Sequence, residues 1–424
     1  MKPVFTKYQI FVVALLAFLQ FTIVLDFMVI SPLGVMVMEK LAITTTQFGL
    51  VVSAYAFSAF ASGIFAAGFA DRFDRKKMLL VFYSGFVLGT ALCGIAPNYY
   101  ALLAARIVTG IFGGVIGSIS FAIVADLFPL AVRGRVMGFI MTAFAASQVL
   151  GIPFSLYLAN HYGWRLPFLA IAGVAAMVGL VIVLRLRPID GHLGGPVEKN
   201  AFVHLVHTVY QPRYLVGFSA TMLLATGGFM LMPFGSAFTV HNMGIPIEQL
   251  PMIYMITGLV SIVAGPVMGR LSDAFGKYRL FFLGSSLAIV MVLYYTSLGI
   301  TPLWMVIAVS CVLFIAINAR MISAQAMITA VPALRDRGAF MSVNQAMQQL
   351  AGGIASIVAG MIVVQTPDGA LDGYHELGYV VSVAIAITMA LMYRVHRLVG
   401  DHGEFTGSSA ETAEITPAPI TETA

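Results

Sequence analysis

Long apolar stretches alternate with short polar punctuation along almost the whole chain. Near 9–36, 47–69, 78–96, 100–125, 136–159 and 164–184 the residues are mostly apolar for about twenty positions or more at a time. That is the length an α-helix needs to cross ~30 Å of hydrocarbon. A polar stretch from Arg185 to about Gln211 follows, and six more apolar runs come near 214–240, 247–270, 279–299, 302–330, 339–364 and 376–394. The end from about Gly400 is rich in Thr, Ser, Glu and Pro and reads as disordered. The pattern predicts an all-α polytopic membrane protein with twelve transmembrane helices. A first six-helix bundle covers 1–186, a cytoplasmic central loop 187–211, a second bundle 212–397, and a disordered cytoplasmic tail 398–424.

Composition strengthens this reading. Of 424 residues 60% are hydrophobic and only 10% charged, against roughly 25% charged in a soluble domain. The 23 Lys and Arg exceed the 18 Asp and Glu, but they fall in short clusters between apolar runs without stacking aromatics, which argues against nucleic acid. With the N-terminus inside, nineteen of the 23 cations fall on the cytoplasmic side; only Lys40 and Arg165 fall outside, and Arg106 and Arg320 lie within spans. Cytoplasmic loops carry the positive excess, so both termini are expected in the cytoplasm and the protein in the inner membrane. Cys93 and Cys311 both sit in apolar runs, which gives neither a disulfide framework nor a metal-ligand set. His192, His204 and His207 of the central loop read as solvated. There is no Gly-Lys-Ser/Thr phosphate loop, so ATP is not the driving force, and no hydrolase motif. The expectation is a monomer that is not an enzyme, needs no cofactor and has membrane lipid as its surroundings.

The two bundles echo one another. Ala67-Gly68-Phe69-Ala70-Asp71-Arg72-Phe73-Asp74-Arg75-Lys76-Lys77 follows the second run, and Gly269-Arg270-Leu271-Ser272-Asp273-Ala274-Phe275-Gly276-Lys277-Tyr278-Arg279 follows the eighth. Asp71 and Asp273 are 202 positions apart, and Arg133-Gly134 and Arg337-Gly338 are 204 apart. Two markers at nearly one offset indicate a duplicated six-helix unit, an organisation common in transporters. The second copy resembles the signature loop of the major facilitator superfamily, Gly-x-Leu-x-Asp-x-x-Gly-Lys/Arg. The first copy is similar but has Ala67, Phe69 and Asp74 in place of Gly, Leu and Gly. Arg106, Gly110, Gly113, Gly114 and Gly117 match the superfamily's fourth-helix pattern. Gly151-Ile152-Pro153 and Gly163-Trp164-Arg165 resemble the twelve-helix drug and sugar efflux branch of proton antiporters, without the Gly-Pro-x-x-Gly-Gly run of its multidrug members. The resemblance covers essentially residues 8–397. It implies two pseudo-symmetric bundles, a small-molecule substrate and alternating access.

Candidate chemistry centres on charges within spans. Asp26 lies in an unbroken apolar run about ten residues from its outer end, roughly 15 Å deep at 1.5 Å per residue. An ionisable group there costs several kcal/mol unless it pairs, protonates or faces a cavity. Arg106, some seven residues into its span, reaches the same layer at about 10 Å. It can pair with Asp26 in one state and leave it free to take a proton in another; alternatively it donates to backbone carbonyls. The gating loop groups Asp71, Arg72, Arg75 and Asp126, with Asp273 and Lys277 in the second copy. Tyr55, Gln148, Asn318, Arg320, Gln345 and Gln349 are candidates for the substrate cavity, or else polar glue between helices. The glycines at 110, 113, 114, 117, 352 and 353 read as close packing within each half, and Gly151, Pro153, Gly227, Gly228 and Pro233 as weak points in spans five and seven. The function expected is a proton-coupled efflux antiporter of a small organic solute or drug. The other reading is an uptake symporter or uniporter of an anionic metabolite, with Arg106 and Arg320 as its binders.

Overall fold

The computed structural model describes residues 5–67, 73–190, 208–333 and 336–410. The central loop's 191–207, the tail's 411–424, and Asp71 and Arg72 lie outside the described residues. The first half comprises α1 (Lys7–Val29), α2 (Gly34–Leu41), α3 (Thr45–Ala67), α4 (Arg75–Ile95), α5 (Tyr99–Leu127), α6 (Leu130–Ala146), α7 (Ile152–Tyr162) and α8 (Arg165–Arg185). The second comprises α9 (Pro212–Leu231), α10 (Gly235–His241), α11 (Leu250–Phe275), α12 (Lys277–Thr296), α13 (Leu303–Ile328), α14 (Arg337–Ile362) and α15 (Tyr374–Ala410). A two-residue antiparallel ribbon, β1 (Val364–Gln365) with β2 (Leu371–Asp372), joins the last two helices.

Local sequence sets the helix starts. Thr6 and Gln9 form a capping box at α1, each side chain accepting from the other's backbone N–H, at 3.2 and 3.0 Å. Asn98 caps α5 through the Ala101 N–H at 3.0 Å. Pro32 lies in the turn between α1 and α2, so the first apolar run is a long helix and a short one instead of a continuous rod. The fifth run bends through a π-helical turn, Ser147–Gly151, just ahead of Pro153. The seventh breaks at Met232–Phe234, one 3₁₀ turn around Pro233.

Among the described residues, eleven helices are long and apolar enough to cross a membrane. The remaining member of the expected twelve is α14, 26 residues long but polar along its first half at Asn344, Gln345, Gln348 and Gln349. It packs along α3 of the first half and α9 of the second, and these neighbours screen much of its surface from lipid. At the C-terminal end, residues 398–410, which the sequence places in the disordered tail, continue α15. Extending a helix already anchored by packing costs far less than nucleating a new one.

Three apolar cores organise the halves. One lies within the first half, with Leu16, Leu79, Ile119 and Ile182, and another in the second, with Phe218, Phe281, Ile328 and Phe340, against which Ile64 also packs. The third is shared, joining Phe48, Val51 and Leu156 to Phe234, Ala355 and Leu371, at the end of the bundle away from the chain termini. There Thr45 Oγ1 donates to the Val363 carbonyl at 2.6 Å and Thr46 Oγ1 to that of Gly360 at 2.8 Å. Ser236 Oγ donates to Ser31 O at 3.0 Å and Asn160 Nδ2 to Ile247 O at 3.3 Å. Gly49 permits this closure, because a methyl group there would stand 2.7 Å from the Ser356 carbonyl. The end distal to the termini is therefore sealed across the halves.

Candidate functional site

Asp26 sits one turn before the end of α1 and Arg106 two turns into α5, and the two meet. Arg106 Nη1 donates to Asp26 Oδ2 at 3.0 Å and lies 3.4 Å from the Asp26 carbonyl oxygen. Both side chains are 0% exposed. The Tyr55 ring, on α3, lies beneath the guanidinium at 4.7 Å from its centroid, a cation–π contact strengthened by the absence of water. Phe27 packs on the other part of Tyr55, with ring centroids 5.1 Å apart. Gly110, one turn on from Arg106, lets α5 approach α3 this closely, since any side chain there would collide with the Tyr55 carbonyl and the Ser58 hydroxyl.

The pair is electrically matched but not saturated. Asp26 Oδ1 and Arg106 Nε and Nη2 are buried without a hydrogen-bond partner. The Thr90 hydroxyl beside Asp26 makes no hydrogen bond of normal geometry either. A buried ion pair repays the removal of its charges from water only with good geometry and further hydrogen bonds. Four orphaned polar atoms thus surround this one pair.

The other sequence candidates separate into groups. Tyr55 joins the pair. Arg75 Nε and Asp126 Oδ2 form an ion pair at 3.2 Å between α4 and the end of α5. Asp74, at the position where the second loop copy has Gly276, adopts φ −54° and accepts the Lys77 N–H at 3.0 Å as the N-cap of α4. Gly276 itself takes φ 94°, a left-handed conformation that L side chains disfavour. The two copies thus begin their following helices by different means. Asp273 and Lys277 line a cavity of about 440 Å³ with Ser272, Gly276, Met327 and His396. Asn318 Nδ2 donates to Phe314 O at 2.8 Å and Ser261 Oγ at 3.4 Å, which ties α13 to α11. Gln148 is half-buried in the π-helical turn, Gln349 is half-buried and Gln345 is exposed on α14. Arg320 is 4% exposed on α13.

Gly110, Gly113 and Gly114 face α3 within their own half, and Gly352 faces Phe229 within the second. Gly353 differs from the expectation, because it faces Phe57 of the first half; α14 is an interface helix, and a small residue on it serves the seam. The seam residues Thr45, Thr46, Ser236 and Asn160 escape sequence reading, since isolated hydroxyls and amides at helix ends resemble ordinary caps.

A family model described as the Major Facilitator Superfamily matches residues 16–314 and 217–421. The chain belongs to that superfamily. Its members are transporters of small molecules, not enzymes. Relatives include the uncharacterized MFS-type transporter YceJ of Bacillus subtilis, 23% identical over 375 residues, which cover 87% of this chain and 94% of that protein. Multidrug resistance protein 2 of the same organism is 25% identical over 295 residues, 68% of this chain and 73% of that one. Among solved structures, a bacterial homolog of the human lysosomal transporter Spinster, inward-facing and unoccupied, superposes with a TM-score of 0.78 at 18% identity, covering 94% of this chain and 98% of the other. The nucleoside transporter NupG superposes with 0.73 at 13% identity, covering 90% and 98%. The two-bundle fold of the superfamily is the fold of this chain.

Proposed function

We propose that this protein is a proton-coupled antiporter that exports a small organic solute across a bacterial inner membrane, with both termini in the cytoplasm. The observation that carries the reading is the fully buried, incompletely hydrogen-bonded Asp26–Arg106 pair. With the termini cytoplasmic, the sealed end is the outer one, and the cycle starts from that closure. Asp26 is then ionised and matched to Arg106, the state of a carrier that has released its proton and is ready for cytoplasmic solute. After the halves rock about the midplane, a proton arriving from outside neutralises the Asp26 carboxylate and weakens its hold on Arg106. Solute leaves as the proton binds, and the protonated carrier returns to face inward. Ligand and proton each act by favouring one of two conformations, which is all that coupling requires. The multidrug relative supports the outward direction.

The test uses proteoliposomes, with a solute that stabilises the purified protein in a thermal screen. In the native protein an imposed solute gradient drives counter-movement of protons, and Asp26→Asn abolishes that movement while still binding solute. Unchanged solute-linked proton flux in the variant removes Asp26 from the scheme.

A further inference from the structure

The charges deep among the spanning helices do not balance. Asp26 and Arg106 cancel, and Arg320 is left over. Its side chain is 4% exposed, and its Nε and Nη2 are buried with no hydrogen-bond partner. The second half has no acid at that depth: Glu248, Asp273, Asp336, Asp368, Asp372 and Glu376 stand at helix ends or in the connections. So little exposure rules out snorkelling, in which a long side chain delivers its charge to the headgroup layer. A buried arginine left unmatched in a membrane protein is costly, and such residues mark substrate and ion pathways.

Its surroundings offer another unmet polar group and no opposing charge. The guanidinium lies against α9 at a glycine, where a methyl on Gly227 would be 3.7 Å from Arg320 Nη1 and 3.4 Å from Val381 Cγ1 of α15. On α12, packed along α13, the Ser285 hydroxyl is also fully buried and unpartnered. It follows Gly284, which abuts the Arg320 backbone. The repeat puts Gly117 opposite Arg320 in the first half, facing open space, so the cation belongs to the second half alone.

We propose that Arg320 anchors an anionic group of the transported solute, a carboxylate or phosphate, between α9, α13 and α15. This rests on the transporter reading and names its substrate class. The guanidinium fork offers two parallel N–H donors to two oxygens of one anion, and Val381 and Ile385 give the apolar remainder of an organic acid a wall to lie against. The anion supplies the negative charge that the protein withholds, and it does so away from the Asp26–Arg106 pair, so solute and proton occupy different halves.

The experiment measures thermal unfolding of the purified, detergent-solubilised full chain with salicylate, inorganic phosphate, the neutral isostere salicylamide, or phosphatidylglycerol. Expected is a rise in midpoint of a few degrees with salicylate or phosphate and none with salicylamide. R320Q loses the rise and R320K keeps part of it. Without ligand, R320Q unfolds no earlier than the native protein, because it carries no unmatched charge. Equal stabilisation of R320Q, or no anion-specific rise in the native protein, overturns the assignment. So does stabilisation by phosphatidylglycerol alone, which makes Arg320 a lipid contact. An anion effect that depends on Arg320, combined with solute flux that moves no protons, leaves this site standing and rejects the proton-coupled scheme instead.

Discussion

Thr45, on the first turn of α3, donates a hydrogen bond from its hydroxyl to the Val363 carbonyl where α14 ends, a 2.6 Å bond that crosses from one half to the other. With Thr46 on Gly360 it forms a two-point latch, set into the apolar core that both halves share. Each neutral hydrogen bond contributes about 1 kcal/mol, so removing both shifts the open-to-closed ratio at this end by roughly tenfold or more. In a T45V/T46V variant, spin labels at His161 and Glu248, in a background lacking Cys93 and Cys311, should show a larger population at long separation. An unchanged distance distribution would mean that apolar contact alone sets the closure.

The buried charge pair carries its own stability signature. Removing one partner strands the other, at about 3–5 kcal/mol. D26A and R106A should each lower the unfolding midpoint markedly, whereas the double variant D26A/R106A should recover a substantial part of the loss. The double-mutant cycle is the measurement, and strictly additive effects would show that the pair is not energetically coupled.

Substituting the key residue of either loop copy should destabilise the protein, for different reasons. D74A deletes the cap of α4 and should cost about 1 kcal/mol, with D74G milder by several tenths. G276A forces a side chain into φ 94° and should cost on the order of 1–2 kcal/mol. Chemical denaturation of each variant in detergent distinguishes the two patterns. A harmless G276A would mean that the turn relaxes.

Asn242 clasps the hairpin between α14 and α15 through both backbone groups of one residue, Leu371. Its Nδ2 donates to Leu371 O and its Oδ1 accepts from Leu371 N, each at 2.9 Å. N242A should leave the helices intact and speed amide exchange across 364–372 by about ten- to a hundredfold, corresponding to two lost bonds. Exchange at the native rate would show that the ribbon holds itself.

Much of this architecture was legible because lipid leaves few choices: apolar runs of fixed length must be helices. The run at 339–364 was legible as α14, but its polar face is explained only by what packs on it. Asp26 and Arg106 stood out as charges in apolar runs, and their shared depth followed from counting residues at helical rise. That they touch, and that Tyr55 lies beneath them, depended on how closely Gly110 brings α5 to α3, which no spacing along one chain encodes. Asp74 looked like a defect in the repeat until its backbone proved to be that of a cap. The seam was invisible for a further reason: Thr45 and Val363 are 318 residues apart, and nothing local marks either one.

Both members of the Asp26–Arg106 pair belong to the first quarter of the chain, on helices that enter the membrane before any of the second half is made. The one acid placed deep in the bilayer can therefore be neutralised during synthesis by an arginine that follows it by 80 residues. Insertion never has to hold that carboxylate alone while waiting for a distant partner. Arg320 has no such companion, so biogenesis of the second half delivers a bare cation to the finished protein.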